Sequence, residues 1–257
     1  MTPFVILALH RTGSTFLVKS LNGHPDIVCD GELFGPDARS LGMDPDDPNG
    51  SLDRWLELRS NVPFAGFKLI LDQSAEAVHE VARRQFRVIF LTRPNELARH
   101  SSQLIARKTG KRSSPTYAAR FFMRLFKFTT GSYNSPTAKF LIESANRYGR
   151  QKTEKVDFDK KRFQTMSRKA DALVRDADSI LAQHGLEPLR LEYPHVTTPD
   201  GMRSVLRFIG AEQMDLVPSS ERMNPPDILE RFSNPDDVRQ FLSEQHRQEW
   251  ATEGTQV

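Results

Sequence analysis

The chain carries a single cysteine, Cys29, in 257 residues. One thiol excludes an internal disulfide framework and any cysteine-rich zinc site. No run approaches the roughly 20 apolar residues that a membrane span needs. The greasy opening stretch FVILAL (residues 4–9) is also too short for a signal-peptide core, with no basic residue before it. These absences predict a soluble, cytoplasmic protein. Neither a repeat of fixed period nor a low-complexity segment interrupts the sequence. Charge of one sign is scarcely in excess: 36 Lys and Arg against 33 Asp and Glu give a net +3. That surplus fits an anionic small ligand as well as a nucleic acid and selects neither. At 38% hydrophobic and 27% charged, the composition is that of a globular protein able to bury a substantial core.

What is present is an alternation of strand and helix signals. Apolar runs predict strands at 4–9, 64–70, 87–92 and 189–193, and helical spacing predicts helices at 15–21, 74–84 and 96–106. That alternation argues for an α/β fold with a parallel sheet and right-handed crossovers. Residues 36–50 (PDARSLGMDPDDPNG) read as a turn-rich loop, and 157–184 as a long helix. Thr198-Pro199-Asp200 and Asn234-Pro235-Asp236 each order a cap, a proline and an acid, the signature of a helix start. Nothing divides the chain, which is read as one domain, 1–257, with a largely helical insertion at about 108–185.

The stretch FVILALHRTGSTFL (4–17) places a buried strand directly before a turn and a helix start. A helix N-terminus presents unpaired N–H groups and a partial positive charge, which together suit an anion. Gly13 permits close backbone approach, Ser14 and Thr15 add hydroxyl donors, and Arg11 adds a fixed charge. An ordinary capped helix after a buried strand would look the same. The lysine and second glycine of GxxxxGK[ST] are missing, which weakens a kinase or ATPase reading. A second candidate lies in FRVIFLTRPNELARHSSQLIAR (86–107): Arg93 ends a strand, where open α/β sheets bind ligands, and Ser101 follows about two turns into the next helix. Two anion grips on one sheet suit a nucleotide phosphorylated at both ends better than a triphosphate, although Arg93 alone would read as a surface ion pair.

In order, RTGSTFL, HPDIVCDGELF, GFKL and FLTRP with Ser101 resemble the sulfotransferases that use 3′-phosphoadenosine-5′-phosphosulfate (PAPS). The opening 3–34 is particularly similar to bacterial carbohydrate sulfotransferases of the Nod-factor type. The similarity covers the first 107 residues, resumes at PLRLEYPHV and FSNPDDVRQFL, and leaves about 108–185 unmatched. It implies a P-loop-type parallel sheet, PAPS as donor with 3′,5′-ADP as product, no metal, and a hydroxyl acceptor on a carbohydrate, glycolipid or other small molecule. It further implies that Arg11, Thr12, Gly13, Ser14 and Thr15 cradle the phosphosulfate and that Arg93 and Ser101 hold the 3′-phosphate. Phe16 stands where relatives stack an aromatic on adenine, with a plain core role as the other reading. Tyr193 ends a strand near the nucleotide, and Arg222 lies in a loop beside its phosphates. Lys68 stands near the transferring group, and an apolar strand would otherwise bury it at some cost. Glu32, in a GE motif, is the implied general base that takes the acceptor's proton; His10, Asp30 and His24 compete for that role.

The basic and aromatic stretch 106–128 has no such likeness. It fits a docked helix, a mobile acceptor lid, or a surface that meets membrane or an acidic glycan. Two rival functions stay open: an atypical P-loop kinase using ATP and magnesium, and a non-enzymatic nucleotide- or RNA-binding module. The oligomeric state is not legible.

Overall fold

The computed structural model describes residues 1–36, 38–110, 154–216 and 224–253. Arg222 and the 111–128 part of the basic-aromatic stretch lie outside these residues. In chain order the elements are β1 (Thr2–Ala8), α1 (Ser14–Leu21), β2 (Ile27–Glu32), α2 (Pro48–Leu58), β3 (Phe64–Ile70), α3 (Ala75–Arg83), β4 (Arg87–Thr92) and α4 (Glu96–Thr109). There follow α5 (Lys160–Gln183), β5 (Leu189–Glu192), α6 (Tyr193–Val196), α7 (Pro199–Ile209) and α8 (Pro235–Glu244). The strands form one parallel sheet in the order β2-β3-β1-β4-β5.

Being central, β1 is buried on both faces, and its core residues Phe4 to Ala8 are fully inaccessible. This explains an uninterrupted apolar run where a half-exposed strand would alternate. Phe4, Ile6 and Ala8 pack with Leu17 and Leu21 of α1 and with Val205 and Leu206 of α7. On the opposite face Val5 and Leu7 pack with Trp55 of α2, Val78 and Val81 of α3, and Ile180 and Leu181 of α5. A third core joins Leu97 of α4, Phe163 of α5 and Phe241 of α8 to Phe158 and Phe232. Among the described residues, no helix is long and apolar enough to cross a membrane.

Four strands stand within two residues of their expected bounds, and three elements do not follow the sequence reading. The edge strand β2 went unseen because Asp30 and Gly31 break its short apolar signal. The expected loop 36–50 ends early: α2 starts at Pro48, with the Asp47 side chain accepting from the Gly50 N–H. Tyr193, expected to close a strand, instead begins the short helix α6. Of the two proline-marked starts, Thr198 caps α7 as expected, its hydroxyl accepting from the Gly201 N–H. The Asn234 side chain does not cap α8. It is turned to the main chain of Phe158, accepting from its N–H and donating to its carbonyl, which ties α8 to the segment before α5.

Candidate active site at the C-terminal edge of the sheet

In a parallel sheet every strand delivers its following loop to one edge, so residues distant in sequence collect there. After β1 comes the turn to α1. Its backbone enters the left-handed region twice, at Arg11 (φ 66°) and Gly13 (φ 87°). Glycine tolerates this and arginine does not, so the turn holds local strain at Arg11. The Thr12 hydroxyl is fully buried and donates to the Leu9 carbonyl, bracing the turn from inside instead of lining its outer surface. Gly13 occupies the N-cap position and supplies no capping side chain. The first helical bond runs from the Leu17 N–H to the Gly13 carbonyl, so the N–H groups of Ser14, Thr15 and Phe16 precede the hydrogen-bond ladder. Phe16 is half-buried and packs against the α1-side core.

The side chains around this turn fall into two groups. The first gathers Lys68, Glu32, Thr15 and Gln73. Lys68 follows Phe67, whose side chain enters the α2–α3 core, so strand alternation turns Lys68 to the α1 face. There its Nζ lies 2.9 Å from Glu32 Oε1 and donates to Thr15 Oγ1 at 3.2 Å. Gln73 Nε2 donates to the other carboxylate oxygen, Oε2, at 2.7 Å, while Gln73 Oε1 accepts from the Ile70 N–H. Burial alone would raise the Glu32 pKa. Lys68, Gln73 and, more weakly, His10 outweigh it and hold the carboxyl below its ordinary value. Glu32 is therefore ionised at neutral pH and able to accept a proton.

The other candidate bases have different surroundings. Asp30 is bound by Trp55 Nε1 at 2.8 Å and by Arg59 through Nε at 2.9 Å and Nη2 at 2.7 Å, an anchor of β2 to α2. His24 is buried beyond the C-terminal end of α1, its Nδ1 accepting from the Asp26 N–H and its Nε2 bonded to the Glu212 carbonyl. His10 forms a half-exposed pair with Asp72 at 3.2 Å, on the rim of the first group.

The second group gathers Arg11, Arg93, Ser102, Tyr193 and Glu253. Arg11 Nε donates to Ser102 Oγ at 2.9 Å, and Asn224 Nδ2 donates to the same hydroxyl at 3.2 Å. Among the described residues Arg11 has no carboxylate partner. Burial, reinforced by the charge of Arg93, lowers its pKa from the ordinary arginine value. The Tyr193 ring covers the turn so closely that a Cβ on Gly13 would stand 2.2 Å from it. Arg93 lies over the same ring, 4.7 Å from its centroid, and donates to the Arg11 carbonyl at 2.7 Å. Ser101, expected beside Arg93, is turned inward. Its hydroxyl is fully buried, donates to the Ala98 carbonyl and accepts from Arg231. The serine that reaches Arg11 is the next one, Ser102. The sequence did carry that signal, because Leu97, Ser101 and Ile105 share the buried i, i+4 stripe of α4. Gln73, Ser102 and Glu253 are the residues here that the sequence reading missed.

Fold and site together define a parallel α/β protein whose first strand–turn–helix leaves the first α1 N–H groups without intrahelical partners beside Arg11 and Lys68. A search of curated proteins finds Nodulation protein H of Rhizobium tropici, 37% identical over 120 residues, covering 42% of this chain and 48% of that protein. The chain thus aligns with about half the length of this relative. Among solved structures, a sulfotransferase from Alicyclobacillus acidocaldarius superposes with a TM-score of 0.44 at 15% identity, over 97% of this chain and 99% of that one. No family model matches the chain.

Proposed function

We propose that the chain is a sulfotransferase that moves the sulfuryl group of PAPS to a hydroxyl of a carbohydrate, glycolipid or other small acceptor. The observation that carries this reading is the junction of the uncapped α1 N-terminus with the Lys68–Glu32 pair, where N–H groups, an ammonium and a carboxylate lie together. The 37% identity to Nodulation protein H supports the same chemistry.

The residues fit such a donor. Arg11 is a partly buried cation with no carboxylate partner among the described residues, and an anionic ligand would supply the missing charge. The α1 N–H groups of Ser14, Thr15 and Phe16, with the Thr15 hydroxyl, would hold the phosphosulfate oxygens. Bound PAPS supplies an activated sulfuryl group on a phosphate leaving oxygen. The protein's part is alignment and charge stabilisation, as in phosphoryl transfer. Lys68, released from Glu32 toward the anion, stabilises negative charge on the leaving oxygen. Glu32 then accepts the acceptor's proton as the new S–O bond forms and the S–O bond to the phosphate breaks. Gln73 keeps the carboxylate in place throughout. A sulfuryl group carries less charge than a phosphoryl group, so two basic side chains and a helix end suffice in this scheme.

Calorimetry with 3′,5′-ADP, 5′-AMP and ATP tests the reading. The expected result is tightest binding of 3′,5′-ADP, independent of magnesium. Preference for ATP with magnesium would replace the reading with a kinase. Affinity for RNA that falls steeply with salt, without sulfuryl transfer, would replace it with a binding module.

A further inference from the structure

Arg93 stands where the strand-end phosphate grip was expected, yet its guanidinium is already matched. Its Nε and Nη2 each lie 2.6 Å from one oxygen of the Glu253 carboxylate. Glu253 also lies 3.7 Å from Arg231 Nη2, and Arg231 in turn donates to Ser101 Oγ at 3.3 Å. The Arg93 and Glu253 side chains are only 8% and 4% exposed. Two parallel N–H···O bonds to one carboxylate are also the geometry in which arginine grips a phosphate.

We infer that Glu253 is an internal counter-anion: its carboxylate occupies the seat of the nucleotide's 3′-phosphate and is exchanged for that phosphate on binding. This inference rests on the PAPS reading above. The backbone around Glu253 is fixed. Its N–H donates to the Pro226 carbonyl at 2.9 Å, the Ala251 carbonyl accepts from the Ile228 N–H at 2.9 Å, and Asn95 Nδ2 donates to the carbonyls of Trp250 and Thr252 at 3.1 and 3.2 Å. Exchange therefore needs rotation of one side chain and leaves this strap in place.

Charge gives the exchange its direction. A phosphate monoester carries roughly −1.5 to −2 at neutral pH against −1 for a carboxylate. A seat lined by Arg93 and Arg231 favours the larger charge. Without nucleotide, the carboxylate compensates the buried Arg93 guanidinium, where an unpaired buried charge would be strongly destabilising. A nucleotide lacking the 3′-phosphate has nothing to exchange and leaves Glu253 where it is. Glu253 thus competes with the 3′-phosphate alone and tempers how tightly a 3′-phosphorylated nucleotide is held.

Calorimetry and thermal melting of the wild type and Glu253→Gln, with 3′,5′-ADP and 5′-AMP, test this. Glu253→Gln is expected to bind 3′,5′-ADP roughly tenfold tighter, with 5′-AMP affinity unchanged. It is expected to melt lower than wild type without ligand and to recover the loss in 3′,5′-ADP. If wild type prefers 3′,5′-ADP but Glu253→Gln binds it no tighter, the exchange is overturned and the nucleotide reading stands. If neither protein distinguishes 3′,5′-ADP from 5′-AMP, the nucleotide reading falls and the seat with it. Should Glu253→Gln fail to fold, Glu253→Asp keeps the charge on a shorter arm. A smaller gain in 3′,5′-ADP affinity supports the exchange there, and no gain overturns it.

Discussion

Lys68 Nζ lies 2.9 Å from Glu32 Oε1, and the two residues sit opposite each other on neighbouring strands. The pairing depends on an irregularity. Between Asp30 and Glu32 the register of β2 against β3 shifts, so that Glu32, and not Gly31, faces Lys68. A bulge of this kind re-aims a side chain at the cost of one ladder position. Here it sets a carboxylate beside an ammonium at the start of α1, where Thr15 completes the contact.

Lys68→Ala is expected to lower turnover by about 10²–10³, the usual effect of losing one preorganised donor at a developing charge. It also removes the neighbour that most lowers the Glu32 pKa, so the acidic limb of kcat should move to higher pH. Steady-state kinetics across pH, with circular dichroism to confirm folding, measure both effects. Near-normal turnover in a folded variant would take Lys68 out of the mechanism.

Gln73 acts on the same carboxylate from the other side. Its Oε1 is fixed on the Ile70 N–H, so its amide N–H must face Glu32. Removing that donor in Gln73→Leu withdraws support from the charged form, and the Glu32 pKa rises. A carboxyl with a depressed folded pKa contributes stability that is present above the unfolded value of about 4.3 and is lost as pH falls through the folded value. Both the acidic limb of kcat and the acid-side loss of stability should therefore move upward in Gln73→Leu. Glu32→Gln should abolish the limb. A limb that persists in Glu32→Gln would identify another base, with the His10–Asp72 pair next in line.

The β1–turn–α1 unit was legible because it is local: an apolar run, a glycine and a helix start within fourteen residues, 4–17. The sheet was legible for a similar reason, since β1, β3 and β4 are each near-continuous apolar runs. Contacts made by tertiary pairing were not. Glu253 meets Arg93 across 160 positions, and Gln73 meets Glu32 across 41, with no local pattern to announce either. The bulge at Gly31 also hid β2, because it breaks the alternation by which strands are recognised. Lys68 and Glu32 were brought together before the structure only through family resemblance, and their register explains the contact.

Gly13→Ala should damage the turn through two separable causes. Its φ of 87° is unfavourable for any side chain, at about 1–2 kcal/mol. The added Cβ would also stand 2.2 Å from the Tyr193 ring. Tyr193→Ala in the same chain removes the collision and leaves the backbone cost. Thermal melts of Gly13→Ala, Tyr193→Ala and the double variant should therefore show coupling, with the double variant less destabilised than the sum of the singles. Strict additivity would mean that the ring moves aside freely and does not hold the turn.

Arg11 should show stability and function pulling in opposite directions. Its backbone is held at φ 66°, and its partly buried guanidinium lies near the like charge of Arg93, with the neutral hydroxyl of Ser102 as its side-chain contact. The positive φ and the neighbouring like charge both cost the ligand-free protein something, and an anion at the turn would offset the electrostatic part. Arg11→Gly relieves both the backbone strain and the like charge beside Arg93, so the ligand-free protein should gain about 1 kcal/mol of stability. The same change removes a fixed charge from the proposed anion site, and turnover should fall by about 10²–10³. Melting without nucleotide and kinetics with PAPS read the two effects on one protein. A variant that melts lower and still turns over would show Arg11 to be a structural brace of the turn; one that melts higher and is inactive would show that the strain at Arg11 is kept for the anion.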